Sequence, residues 1–178
     1  MTKYVALLRG VNVGGHTKLK MPDLVQVCES LGFHNAKTYL QSGNVVFDND
    51  SLDGSPVAIQ IEKRLKDQLG LQVSVFIRTP NDLARIVAGQ PFKNRDPTRL
   101  HVTFLKSTPK KDREAEIRAV VRGGEEFSIL NLEVYLFLPN GMGKTKLSNN
   151  FIEKTLGVPA TTRNWNTVNA LLEMARPK

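Results

Sequence analysis

The sequence predicts an α+β fold of two joined ferredoxin-like halves, each a split βαβ (α/β plait) unit with an antiparallel sheet. Three observations predict it. Apolar β-compatible runs and amphipathic helical stretches follow the order β-α-β-β-α-β, most of that order recurs after residue 98, and a proline-flanked polar run, 90–97, lies between the two stretches. We therefore expect one half at residues 1–90 and a second at 98–178.

The first half is predicted to be a complete unit followed by one extra helix. Residues 4–8 are continuously apolar, which is typical of a central strand, and Ser42-Gly43 separates two β-compatible runs as in a hairpin. Ser55-Pro56 indicates a helix start. The predicted elements are strand 4–8, helix 22–31, strands 37–41 and 44–48, helix 56–69, strand 73–77 and helix 80–88.

The second half is predicted to repeat this order without its last strand. Thr108-Pro109 indicates a helix start, Asn131 a turn between two strands, and Trp165 the beginning of a final helix. No strand is predicted between residues 157 and 164, so the half is incomplete, β-α-β-β-α-α. Its predicted elements are strand 101–105, helix 109–122, strands 127–130 and 134–138, helix 147–156 and a helix from residue 165.

The chain is basic, and the basic excess is larger in its second half. Lys and Arg total 25 against 17 acidic residues, which gives a formal net charge of +8. Residues 91–178 hold 15 basic and 9 acidic side chains, whereas residues 1–90 hold 10 and 8. Such a field favours anionic partners, nucleic acid among them, although it also keeps a protein in solution.

Several classes of protein are not indicated. The apolar runs are too short to span a bilayer and the first residues lead into a strand, so we expect a cytoplasmic protein without a membrane partner. Cys28 lies on an apolar helix face, which favours a core position. His16, His34 and His101 lack the spacing of metal ligands. We expect no metal and no cofactor, and no acid–base pair stands out.

Glycines and basic residues follow the first predicted strand. The run 10–15 contains three glycines, with Arg9 before it and Lys18 and Lys20 after it. Glycines let backbone amides approach a ligand, so the loop suits a phosphate or carboxylate. Its glycine spacing does not match the dinucleotide fingerprint, and a purely conformational loop is the alternative.

A second loop, 138–145, ends in Gly-Lys-Thr between a strand and a helix. That context is typical of a phosphate-binding loop, but the pattern needs a glycine where Leu138 stands, and Pro139 removes one amide. Nucleotide hydrolysis is therefore not indicated. An anion nest held by Lys144 and Lys146 is one hypothesis, and two lysines that solvate a turn are the other.

The run 161–168, TTRNWNTV, places the single tryptophan among polar residues. Trp165 shares a helical face with Val168 and Leu172, which favours a core anchor. Arg163 and Asn166 lie where a helix start presents free amides, so they suit a planar or anionic group. Helix capping and hydrogen bonds between the halves explain them equally well.

Three motifs together resemble a known family. The runs 7–15 (LLRGVNVGG), 41–47 (QSGNVVF) and 161–168 (TTRNWNTV) occur in order, and the chain resembles the bacterial family catalogued as domain of unknown function 1697. The resemblance covers nearly the whole length. It implies two joined α+β halves of ferredoxin-like topology, and it implies neither an activity nor site residues.

The predicted topology then suggests where a site lies. We take the first and third strands of the first half to run parallel, which puts loop 9–15 and the Ser42–Asn44 turn at opposite ends of the sheet, with Arg78 on the Asn44 side. The loop is then free to meet the second half. We expect a cleft between the halves for a phosphate-bearing ligand or nucleic acid, lined by Arg9, Asn12, Lys144, Lys146, Arg163 and Asn166.

Two other functions fit the same residues. One is an enzyme on a small phosphorylated or acyl substrate, in which these side chains supply electrostatic stabilisation. The other is a structural or protein-interaction domain, in which the motifs only cap helices and join the halves. The sequence does not indicate the oligomeric state.

Overall fold

The computed structural model describes residues 1–15, 17–51 and 53–176, so His16 lies outside the described residues. It contains two four-stranded antiparallel sheets with helices, which confirms the predicted fold class. The chain divides into two compact units. Unit 1 comprises residues 1–85 and 170–178, and unit 2 comprises residues 86–169. The C-terminal residues thus group with unit 1 and not with the residues before them, unlike the predicted division.

The sheet of unit 1 has the strand order β2-β3-β1-β4. Helices α1 and α2 each connect two of these strands, and a third helix follows the last strand, as the sequence predicts. The elements are β1 (Thr2–Leu8), α1 (Met21–Ser30), β2 (His34–Thr38), β3 (Asn44–Asn49), α2 (Gly54–Leu69), β4 (Val75–Arg78) and α3 (Pro80–Ala88).

Alternation along β1 builds the main core of unit 1. Tyr4, Ala6 and Leu8 are fully buried and belong to one apolar cluster with the inner faces of α1 and α2. Residues at every second position of a strand share a face, which is why this set joins the helices. Each fully buried large apolar side chain contributes about 1.5–3 kcal/mol.

Unit 2 repeats the same plan in the strand order β6-β7-β5-β8. Its elements are β5 (Leu100–Leu105), α4 (Glu114–Val120), β6 (Glu126–Leu130), β7 (Glu133–Phe137), α5 (Asn149–Leu156) and β8 (Ala160–Asn164). Helix α6 (Trp165–Ala175) starts at the predicted residue and continues into the part of the chain assigned to unit 1.

The prediction of an incomplete second half is wrong, because β8 supplies the missing fourth strand. Within the described residues β8 is an edge strand that pairs with β5, with Thr103 opposite Thr162 and Val102 opposite Arg163. Its sequence, Ala-Thr-Thr-Arg-Asn, has no apolar alternation. The pairing with a distant strand therefore decides its conformation, not its own pattern.

The expected direction of the first and third strands is also wrong. β1 and β3 are neighbours and run antiparallel, with Leu7 opposite Asn44. In a split βαβ sheet the third strand lies directly beside the first, so the end of β1 meets the start of β3. Loop 9–20 and the β2–β3 connection therefore lie at the same edge of the sheet. Arg78, opposite Val5 at the far end of β4, lies away from that edge.

Candidate functional site

Loop 9–20 and the β2–β3 connection, residues 39–43, form one edge of unit 1, called here the loop edge. The backbone NH of Leu8 donates to the Gly43 carbonyl at 2.8 Å, and the NH of Arg9 donates to the Ser74 carbonyl at 2.9 Å. These bonds continue the sheet pairing past the end of β1. They fix the point from which loop 9–20 departs.

Asn12 holds loop 9–20 in place. Its side-chain amide donates to the carbonyls of Leu19 and Gln41, both at 2.7 Å, and its Oδ1 accepts from the Leu19 NH at 2.9 Å. Its backbone is left-handed, with φ +55°, and its NH donates to the Thr17 carbonyl at 2.7 Å. Asparagine tolerates this conformation better than most residues. The side chain thus positions the loop and ties it to the β2–β3 connection.

Gly43 allows the loop to pack closely on the connection. A methyl group added there would lie against the side chain of Val11 and 2.9 Å from Cβ of Leu8, and the residue has φ +75°. Val11 is buried, with 1% of its surface exposed. The glycine is therefore required by both its backbone conformation and the approach of the loop.

The rest of the described loop carries exposed basic residues, while Leu19 is buried. Lys18, Lys20, Gly14 and Gly15 are exposed, and Arg9 is half-buried. Residues 1–22 contain no aspartate or glutamate, so no acidic side chain of this segment offsets the lysines. This loop presents positive charge on a fixed backbone.

In unit 2, the Gly-Lys-Thr loop forms a hydrogen-bonded turn. The NH of Gly141 donates to the Leu138 carbonyl at 2.9 Å, and the NH of Lys144 donates to the Gly141 carbonyl at 3.2 Å. In a phosphate-binding loop such amides point at the ligand, whereas these two donate to carbonyls of their own turn. The side chains of Lys144 and Lys146 are exposed.

Arg163 is a buried residue of β8. Its guanidinium donates to Thr161 Oγ1 at 2.7 Å and to the Thr162 carbonyl at 2.9 Å. Burial lowers the pKa of Arg163 to about 10. In unit 1, Arg78 is equally buried at the matching position on β4 and donates to the Ile77 carbonyl at 2.9 Å. A buried arginine in the last two residues of the fourth strand is thus a shared feature of both units.

The start of α6 is capped by Asn164. Its Oδ1 accepts from the NH of Asn166 at 2.9 Å, which is the usual N-cap contact. Asn166 is exposed, and Trp165 is half-buried. Val168 is fully buried, so it has a deeper core position than the tryptophan that the sequence favoured as an anchor.

A polar line that the sequence did not reveal connects α5 to the sheet of unit 2. The hydroxyls of Thr103 and Thr162 are 2.8 Å apart, and Thr162 donates to Asn149 Oδ1 at 2.9 Å. His101 lies on the same sheet face as Thr103, and its buried Nδ1 has no hydrogen-bond partner among the described residues. Burial lowers the pKa of His101, opposed by a backbone hydrogen bond at Arg99.

Unit 2 has a basic groove of about 450 Å³. Lys110, Arg113 and Lys154 line it, and Phe151 and Leu156 supply apolar surface. Arg113 pairs with Glu116 at 2.6 Å, so part of this charge is neutralised within the unit.

The structure assigns the six candidate residues to different units. Arg9 and Asn12 belong to unit 1, and the other four belong to unit 2, where Lys144 and Lys146 share a loop and Arg163 and Asn166 lie on successive elements. A cleft that all six share stays a prediction. Gln41, the partner of Asn12, was not predicted, because only the antiparallel pairing of β1 with β3 brings it near.

The structure also bears on the single cysteine, on metal ligands and on membrane-spanning helices. Cys28 is fully buried, as predicted, and burial raises the pKa of its thiol to about 12. Among residues 1–15, 17–51 and 53–176, no group of three or more His, Cys, Asp or Glu side chains is placed to hold a metal ion. No helix in the same ranges is long and apolar enough to cross a bilayer.

The fold and its loops define an α+β protein of two split βαβ units. A family model described as Protein of unknown function (DUF1697) matches residues 1–135. The chain belongs to this family, which confirms the resemblance seen in the sequence motifs.

A solved structure shows the same fold. The conserved bacterial protein SP0830 from Streptococcus pneumoniae has a TM-score of 0.79 with this chain at 22% identity, covering 98% of this chain and 99% of its own. At this identity the similarity concerns the fold alone. A comparison with curated proteins gives no match.

Proposed function

We propose that the protein binds an anionic, phosphate-bearing ligand and that loop 9–20 is its principal binding element. The proposal is supported by a difference between the two units in the loop that leaves the equivalent edge of each sheet. In unit 2, the NH of Leu105 donates to the Leu132 carbonyl at 2.8 Å and the NH of Lys106 donates to the Pro159 carbonyl at 2.9 Å, as Leu8 and Arg9 do in unit 1. Unit 2 then continues to its 3₁₀ turn at Lys111–Arg113 through residues 107–110. The split βαβ fold therefore does not require a loop as long as 9–20 or one that is held in place by an asparagine.

The charge of the loop selects the class of ligand. Lys18 and Lys20 are exposed on a segment without acidic residues, and a loop fixed by Asn12 presents them at little additional entropic cost. In unit 2, residues 134–152 contain Lys144 and Lys146 and likewise no acidic residue. Each of these loops by itself presents two lysines to a phosphate-bearing ligand.

The candidate residues take different roles in this proposal. Arg9, Lys18, Lys20, Lys144 and Lys146 contact phosphate through their cationic groups. Asn12 acts as a positioning residue, since both hydrogens of its amide are engaged within unit 1. Arg163 and Asn166 support the strand and helix to which they belong.

Titration with a labelled oligonucleotide and with inorganic polyphosphate, each at several salt concentrations, tests the proposal. In Lys18→Gln/Lys20→Gln, we expect weaker binding and a salt dependence reduced by roughly 1.4 in the slope of log K against log salt for a single strand. Lys63→Gln/Lys66→Gln removes the same charge from exposed positions on α2 and serves as the matched control.

The two variants separate the outcomes. A loss confined to the loop variant supports the proposal. Equal losses in both variants would show attraction by net charge alone, and absence of binding at low salt would favour the structural domain; either result would reject the proposal.

A further inference from the structure

Two exposed aliphatic side chains lie at the loop edge. Val13 is 66% exposed and Leu40 is 56% exposed. Each is one residue from the hydrogen bond that joins Asn12 to Gln41, so both belong to the braced part of the edge. Single exposed apolar residues are common on proteins, but two at the same fixed edge call for a physical reason.

Leu40 also has an unfavourable backbone conformation. Its φ is +57°, in the left-handed region, which costs a non-glycine residue roughly 1–2 kcal/mol. The surrounding turn maintains it: the NH of Tyr39 donates to the Asn44 carbonyl at 3.0 Å, and the Asn44 side chain donates to the Tyr39 carbonyl at 2.8 Å. Because its side chain is exposed, the leucine gains little free energy from burial to offset this strain. Strain held in this way is characteristic of residues kept for a function.

The two segments that carry the aliphatic pair, Val13 and Leu40, together contain basic residues and no acidic ones. Lys18 and Lys20 lie on the same loop as Val13, and the loop and the β2–β3 connection, residues 9–20 and 39–43, contain no acidic residue. A partner of this edge therefore combines negative charge with accessible apolar faces.

We propose that the loop edge binds single-stranded nucleic acid, with its phosphates at Lys18 and Lys20 and a base packed on Leu40 and Val13. The inference rests on the proposed function and adds the base contact to it. Nucleobases supply flat apolar faces beside phosphates, and a single strand exposes them without the cost of unstacking. In a duplex those faces are hidden, and inserting an apolar wedge costs a few kcal/mol per step.

Removing the apolar contacts without removing charge tests the base contact. Leu40→Asn keeps a residue that tolerates positive φ, and Val13→Ser shortens the second aliphatic side chain. We expect each change to weaken binding of a single-stranded RNA about fivefold, with an unchanged salt slope, and to leave binding of inorganic polyphosphate unchanged. Ile59→Ser, at a residue of α2 that is 63% exposed, is the matched control and should have no effect.

The results distinguish this inference from the proposed function. If Leu40→Asn binds RNA as the parent does while Lys18→Gln/Lys20→Gln loses both RNA and polyphosphate, the base contact is rejected and anion binding stands. If neither probe binds the parent protein, both are rejected.

Two further measurements assign the aliphatic pair to other partners if the inference fails. Concentration-dependent self-association abolished by Leu40→Asn in sedimentation would assign the edge to a second copy of the chain. Cosedimentation with vesicles of phosphatidylglycerol, lost in the same variant, would assign it to a membrane surface. Either result together with unchanged RNA binding overturns the proposal.

Discussion

In each unit, the last residue of the first strand and the residue after it make the same pair of backbone hydrogen bonds at the equivalent edge of the sheet. The two units differ in the residue whose carbonyl accepts the first of these bonds. That residue is Gly43 in unit 1 and Leu132 in unit 2. Gly43 has no room for a methyl group because Val11 of loop 9–20 packs on it. The glycine is therefore required by the approach of the loop, by Cβ of Leu8 and by its own backbone conformation, whereas Leu132 carries a side chain at the equivalent hydrogen-bonded position.

A second difference lies on the helix-covered face of each sheet. Tyr4 of β1 and His101 of β5 occupy matching positions. Each lies four residues before the last residue of its strand, Leu8 or Leu105, whose NH makes the equivalent backbone hydrogen bond. The hydroxyl of Tyr4 donates to the Ser51 carbonyl at 2.8 Å, whereas Nδ1 of His101 lacks a partner among the described residues. The same plan therefore pairs the buried hydroxyl of Tyr4 in unit 1 and leaves one ring nitrogen, Nδ1 of His101, without a partner among the described residues of unit 2.

Gly43→Ala should have the largest effect. We expect a loss of about 2–4 kcal/mol in the free energy of unfolding, since left-handed strain and the clash with Val11 and Leu8 add together. Urea unfolding measures it. Gly32→Ala is the control: it has a similar φ of +78° and open space around it, so it should lose about 1 kcal/mol. Equal losses would show that the loop does not impose the requirement.

Asn12→Ala should cost about 2 kcal/mol, because it removes three side-chain hydrogen bonds and the residue tolerant of positive φ. Hydrogen exchange at Leu19, whose NH loses its acceptor, should increase in the variant. Asn166→Ala, at an exposed asparagine of α6, is the comparison and should remain within about 0.5 kcal/mol of the parent. A neutral Asn12→Ala would mean that the loop does not depend on its brace.

Leu40→Gly should raise the free energy of unfolding by about 0.5–1 kcal/mol, since relief of left-handed strain exceeds the added entropy of the unfolded chain. Asn131→Gly in unit 2 starts from an asparagine at φ +56° and should change stability less. Thermal and urea unfolding measure both. A destabilised Leu40→Gly variant would show that the leucine is kept for folding and not for an external partner.

The pH dependence caused by His101 should be the smallest effect. Burial lowers the pKa of His101 below its ordinary value of 6.5, so the unfolded chain binds the proton first. Its stabilising contribution is complete above pH 6.5 and is lost as pH falls towards the lower pKa of the native state. Urea titrations between pH 7 and pH 5 should show a shallower decline for His101→Phe than for the parent. His34→Asn, at an exposed residue of β2, should follow the parent.

Local patterns predicted much of the fold and part of the candidate site. The strand at residues 4–8 and the start of α6 at Trp165 each carry their own signal in local spacing, and both were predicted. Lys18 and Lys20 were identified beside the first glycine-rich run for the same reason. The helix start predicted at Ser55-Pro56 is wrong by two residues: α2 begins at Gly54, and Asp53 caps it by accepting from the NH of Ser55 at 2.8 Å. Leu40 was not identified, because no local pattern indicates that an exposed leucine has a left-handed backbone.

The sequence by itself determined the alternation of strands and helices, the basic charge and the glycine-rich loops, because these depend on neighbouring residues. Only the tertiary structure decided that Ala160–Asn164 is a strand, that Asn12 reaches Gln41 and that Arg163 is buried. Each of these depends on pairing between residues far apart in the chain. The energy of such a contact is set by the partner strand and its register, which no local spacing encodes.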